Sequence, residues 1–184
     1  IQNQTGSQRI DYLVTDLSSL AQTRNLAQEF MRRYDRLHVL INNAGAIFMK
    51  REESVEGFEK TLALNHLSPF LLTNLLLDVL RVSAPARIVN VSSAAHRMAR
   101  VRFDDLQYQR GYRGWIAYAQ SKLANIYFTR GLEGWMDGRG VSANALHPGF
   151  VATRFAQNNP GWLQPVMRLA HRFALSPDDG AATS

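Results

Sequence analysis

Residues 37–41 and 88–91 are short apolar runs without in–out alternation, the pattern of strands buried on both faces. Between them lies a stretch far longer than a hairpin. Residues 57–81 read as one long helix with Pro69 kinking its middle. Its second half, 70–80, is apolar nearly all round, so it too is expected to be buried. A buried strand, a long crossover and a second buried strand leave few folds open. Parallel strands require such crossovers, and right-handed βαβ units build a sheet with helices packed on it.

The rest of the chain repeats the pattern. Residues 9–14 hold the β-prone set Ile10, Tyr12, Leu13 and Val14 and are expected to form a strand. Ser19 followed by Gln22 resembles a capping box that opens a helix carrying Leu20, Ala27, Phe30, Met31 and Tyr34. A helix over 115–136 and a strand over 141–146 follow an arginine-rich connection from 94 to 114. The tail suggests an amphipathic helix over 163–175 and another start after Pro177. The expected class is α/β, a doubly wound parallel sheet with helices on both faces. No linker, repeat or low-complexity tract divides the 184 residues, a length that suits one core and not two.

Composition excludes several functions. The net charge of +6 comes from arginines scattered along the chain rather than a basic block, so a nucleic-acid tail is not indicated. With no cysteine there is neither a disulfide framework nor a thiolate metal site, and a cytoplasmic address is expected. The five histidines lack HxxxH or HExxH spacing, so no metal is expected. No apolar run reaches the roughly 18 residues a membrane span needs.

Chemistry concentrates where predicted strands end. Tyr118-Ala119-Gln120-Ser121-Lys122 places a phenol and an ammonium one helical turn apart. An ammonium beside the hydroxyl is expected to lower the tyrosine pKa, letting it exchange a proton near neutral pH. Ser93 closes the second buried run, at the edge where open parallel sheets bind ligands. Asn42-Asn43-Ala44-Gly45 ends the first, with small residues that let a flat ligand approach the backbone. Asn65 sits inside the long helix, where asparagine has poor propensity. His147-Pro148-Gly149 marks the same edge after the last strand.

In this order, with Asp16-Leu17 before them and Val151 and Thr153 after, these residues resemble the classical branch of the short-chain dehydrogenase/reductase family. The long interval from Ser93 to Tyr118, Phe103-Asp104-Asp105-Leu106 within it and Tyr118 to Asn125 are most similar to its retinol-dehydrogenase-like group. The resemblance implies a Rossmann-like domain that transfers a hydride between NADP or NAD and a carbonyl/alcohol substrate. Tyr118 would be the general acid/base and Ser93 would orient the substrate oxygen. Lys122 would lower the tyrosine pKa and hold the nicotinamide ribose, and Asn65 would anchor a water relaying protons to it. Asp16 and Leu17 would meet the adenine, Asn43, Ala44 and Gly45 the adenosine side, and Pro148, Gly149, Val151 and Thr153 the nicotinamide end. The family tends to pair subunits through its two long helices, which implies a homodimer or homotetramer.

The departures are also informative. No glycine-rich phosphate-binding motif occurs, so the resemblance implies a domain lacking the family's first strands, with the sequence that separates NAD from NADP missing too. A chain without that segment is expected to bind cofactor weakly. Two other readings stand beside the dehydrogenase: a cofactor-free relative that serves as an interaction module, and a nucleotide-sugar epimerase or dehydratase, which also uses a Tyr/Lys pair. The apolar residues of 156–175 suggest an apolar substrate.

Overall fold

The computed structural model describes residues 5–149. Three parallel strands, β1 (Val39–Asn42), β2 (Ala86–Val91) and β3 (Val141–Leu146), lie side by side in that order. Val39 stands opposite Arg87, and Ala86 opposite Val141. Helix α1 (Leu20–Arg33) precedes β1. A helical run joins β1 to β2: α2 (Lys60–Leu62), a π-turn (Ala63–Leu67), α3 (Ser68–Leu75) and α4 (Leu77–Val82). A 3-10 turn (Ala94–Met98) and the long α5 (Gly114–Met136) then lead to β3.

Two crossovers stepping the same way along a parallel sheet place their helices on one face. Leu77 and Leu80 of α4 and Leu132 and Met136 of α5 pack there on Ala86, Ile88, Val141 and Ala143. Deeper along the sheet this layer becomes polar and fully paired. Asn42 Nδ2 donates to Thr73 Oγ1 (3.0 Å) and Asn90 Oδ1 (2.8 Å), and Asn90 Nδ2 donates to Thr129 Oγ1 (2.9 Å). Such buried amides hold strand and helix in one register because an unpaired alternative is costly. On the opposite face Val39, Ile41, Arg87, Ser142 and Asn144 are exposed. The expected second layer of helices is not among the described elements, and the tail helix expected over 163–175 lies outside the described residues.

Residues 9–14 are not a strand. A strand is defined by its ladder, and residues 9–14 belong to none of the described strands or bridges; Val14 is 91% exposed. Ser19 caps α1 by accepting from Gln22 N–H. The Gln22 side chain reaches past Ser19 to the Asp16 N–H (3.0 Å), so the capping box is displaced outward. The helix expected from residue 57 begins at Lys60. Gly57 is held at φ 80°, and the buried Glu59 carboxylate caps Thr61 and Leu62 N–H. Pro69, expected as a kink, sits in the first turn of α3 directly after the π-turn. Ser68 N–H already reaches back five residues to the Ala63 carbonyl, so the helix widens where the proline ring needs room.

Candidate active site

The carboxyl ends of β1 and β2 converge on the middle of α5. The ladder continues one residue past β2, with Ser92 N–H donating to the Leu146 carbonyl (2.7 Å). Ser92 Oγ donates to the Lys122 carbonyl (2.8 Å), and Lys122 Nζ donates back to the Val91 carbonyl (3.0 Å). Two reciprocal bonds thus fix Lys122 against the strand end. Ser93, the next residue, turns away and accepts from Ala95 N–H at the start of the 3-10 turn. Its hydroxyl is hydrogen-bonded to Tyr118.

Tyr118 is buried against Ile47, with Met49 and Ala95 packed beside it. The Trp115 indole meets its ring edge to face, 6.3 Å away at 90°. Burial pushes the phenol pKa up, and the bond with Ser93 pulls it the other way. The expected lowering by Lys122 is not what governs this geometry. The ammonium lies 5.7 Å from the ring centroid, and its own burial drives the lysine pKa down to about 8. Desolvation disfavours both charged forms, so each group is held nearer its neutral state.

Asn65 is fully buried and both N–H groups of its amide are used. Oδ1 accepts from Ala46 N–H, Nδ2 donates to the Ala46 carbonyl (both 2.9 Å), and Nδ2 also donates to Ser121 Oγ (3.0 Å). The paired bonds to Ala46 mimic one rung of a strand ladder and pin the loop that follows β1. Gly45 lies in that loop over the lysine. A Cβ there would sit 3.1 Å from Lys122 Nζ and 3.2 Å from Asn65 Oδ1, two groups already held by other bonds. Close approach, not backbone conformation, requires glycine here.

Asn65, Ser93, Tyr118, Lys122 and Gly45 therefore form one cluster. Asn43 and Ala44 line its exposed rim, and Pro148 and Gly149, the latter at φ 80°, follow β3 on the same edge. Asp16 and the half-buried Leu17 stand apart at the turn into α1. Ser18 N–H and Oγ both bond Asp16 Oδ1 (2.8 and 2.7 Å) and hold the carboxyl below its usual pKa. Val151 and Thr153 lie outside the described residues.

Sequence reading overlooked four residues that build this arrangement. Ser92 anchors Lys122. Ser121 relays the Asn65 amide to the Tyr118 carbonyl (2.7 Å). Gln120 clamps the connection after Ser93, accepting from Arg102 N–H (2.8 Å) and donating to the Leu106 carbonyl (2.9 Å). Asn125 donates to the Asn65 carbonyl (2.9 Å). Only the last had a signal in the sequence, a proline four residues after Asn65.

The family model for short chain dehydrogenases matches residues 1–164. The chain belongs to the short-chain dehydrogenase family. It is 41% identical to human retinol dehydrogenase 11 over all 184 residues, which cover 58% of that protein. A crystal structure of an uncharacterized protein from Mycobacterium paratuberculosis matches with a TM-score of 0.70 at 37% identity, over 84% of this chain and 56% of the other. The Pseudomonas aeruginosa RhlG/NADP active-site complex matches with a TM-score of 0.58 at 35% identity, over 75% and 52%. The chain thus spans little more than half the length of these relatives.

Proposed function

We propose that this protein is a nicotinamide-dependent oxidoreductase that interconverts an apolar alcohol and its carbonyl compound. The observation that carries the reading is the Tyr118 hydroxyl, hydrogen-bonded to Ser93 one helical turn from a buried lysine. The names of the relatives, a retinol dehydrogenase and an NADP complex, favour this over an epimerase or an interaction module.

The residues present suit NADP or NAD. Among the described residues Lys122 Nζ donates to one partner, the Val91 carbonyl, which leaves two N–H groups for ribose hydroxyls. Gly45 keeps the backbone close beside it, with Asn43 and Ala44 on the adenosine side. Both Ser18 bonds use Asp16 Oδ1, which leaves Oδ2 of an ionised carboxylate to accept from an adenine amine, with Leu17 against the base. Pro148 and Gly149, with Val151 and Thr153, would flank the nicotinamide. When bound, the cofactor supplies or removes the hydride.

The chain's own part is positioning and proton transfer. In reduction Ser93 orients the substrate carbonyl toward Tyr118, whose phenol gives its proton to the oxygen as the carbon is reduced. In oxidation the phenolate takes the alcohol proton back. A raised pKa keeps Tyr118 protonated at neutral pH, the form the reductive direction needs. Asn65 holds the loop over Lys122 and would anchor a water that relays protons to it. Met49, Ala95 and Trp115 present an apolar wall beside the phenol, which suits an apolar substrate. The same reading makes the protein a cytoplasmic homodimer or homotetramer paired through α3 and α5.

Tyr118→Phe tests the assignment. Reduction of an apolar aldehyde with NADPH or NADH should fall by about a hundredfold or more. NADPH or NADH should still quench protein fluorescence saturably. Unchanged turnover would sink the acid/base role, and the absence of saturable quenching in the parent protein would favour the interaction module.

A further inference from the structure

Pro69 leaves the Asn65 carbonyl without its helical partner. Asn65 lies in the π-turn, where the chain passes from five-residue bonds back to the α register of α3; in that α register its carbonyl accepts from the N–H of residue 69, and proline has none. The carbonyl belongs to a fully buried residue, where an unmet acceptor is costly. The missing donor arrives from α5, where Asn125 Nδ2 donates to the Asn65 carbonyl at 2.9 Å. The Asn125 amide is itself oriented by His66, whose Nδ1 lies 3.0 Å from Oδ1. With the His66 Nδ1–H donating to Oδ1, Nδ2 has to face the orphaned carbonyl. Asn125 is itself buried, and so is Ser121, which holds the Asn65 side chain one turn earlier on α5. Asn65 is therefore tied to the helix of Tyr118 and Lys122 by its side chain at residue 121 and by its main chain at residue 125, and Lys122 lies between the two ties.

We infer that Asn125 is a positioning residue: by replacing the hydrogen bond that Pro69 removes, it sets the distance between the π-turn and α5 and so keeps the Gly45–Ala46 loop closed over Lys122. The inference rests on the dehydrogenase reading only for its functional meaning; the linkage it describes is structural. Around the Lys122 ammonium are the Val91 carbonyl, Gly45, the Asn65 amide and the Tyr118 ring, of which Tyr118 is titratable, and His66 is the titratable neighbour of Asn125. If the tie is released, the loop loosens and water reaches the ammonium, which then recovers affinity for its proton.

The test follows Lys122 directly, by NMR of the protein labelled with 13C at lysine Cε, with the signal assigned by Lys122→Arg. Asn125→Leu should raise the Lys122 midpoint from about 8 toward the free-lysine value, by about half a pH unit or more. Pro69→Ala returns an N–H to the position from which a helix serves the Asn65 carbonyl. In that background Asn125→Leu should move the midpoint by less than half as much. Equal shifts in the two backgrounds, or no shift in either, would overturn the inference. Asn125→Ala serves in the same cycle if the leucine variant does not fold. Because no turnover is measured, failure of the dehydrogenase reading leaves this result standing, and the converse holds too.

Discussion

Lys122 carries a charge in a place that has little water to solvate it. Its folded pKa of about 8 lies below the ordinary 10.5, so burying the charge opposes folding throughout the neutral range. Between those two values the folded protein has released the proton while the unfolded chain still holds it. The unfolded state then binds more protons, and stability rises with pH. Tyr118 acts in the opposite sense and later: its pKa is raised on folding, so its contribution is lost only as the unfolded phenol ionises above pH 10. Urea unfolding should therefore show stability increasing by about 2 kcal/mol from pH 7.5 to 9.5. Lys122→Met should flatten that rise, and a slope that survives the substitution would show that the lysine is not its source. The sequence made the Tyr118–Lys122 pairing legible because helical spacing is local. It did not reveal the sign of the tyrosine shift, because that sign comes from Ile47, Met49 and Ala95, which fold in from elsewhere.

Among the elements, those whose cause is local were readable. The strand expected at 141–146 is β3 without change, and the helix expected at 115–136 differs from α5 by one residue. The failures came where distant partners decide. Residues 9–14 have β propensity without a ladder, and the π-turn arises from how Pro69 fits above Ala63. The connection from Ser93 to α5 is the clearest case, since its composition suggests only a polar loop. In the structure the buried Asp105 carboxylate accepts from Gln109 and Arg110 N–H, which holds its pKa low. Gln120 closes the turn from outside by bonding residues 102 and 106 together. Gly114 completes the join, because a Cβ there would meet the Phe48 carbonyl oxygen at 2.6 Å and Met49 Cα at 2.7 Å. Gln120→Ala removes both clamp bonds and costs about 1–3 kcal/mol locally. Amides of residues 102–106 should exchange with solvent faster than in the parent, while those of β2 keep their protection. Uniform loss of protection would mean that the clamp supports the whole domain and not this turn alone.

At the scale of the molecule, the described helices leave an apolar aromatic face uncovered. Phe70 of α3 is 47% exposed, and Tyr127 and Trp135 of α5 are 50% and 65% exposed. Gly131 and Gly134, on the turns between those two aromatics, have open space where a Cβ would stand. Phe70 and Phe128 meet at 5.0 Å, so α3 and α5 present one continuous surface. Placed at the subunit contact proposed above, Trp135→Glu puts a charge where a partner would bury an indole. Sedimentation velocity should find the parent as a dimer or larger species and the variant shifted to monomer; a parent that sediments as a monomer at micromolar concentration would end the proposal.

The ties that define the active site also fix when it can exist during folding. Asn65 meets Ala46 across 19 residues of chain, Lys122 meets Val91 across 31, and Ser121 and Asn125 meet Asn65 across 56 and 60. None of these contacts can form inside a single helix or hairpin, and each must first close a long loop against chain entropy. A single helix of this chain, however well formed, contains no rudimentary version of the site. The site is assembled only when these long-range closures are made, and any partial unfolding that separates α5 from the π-turn takes it apart.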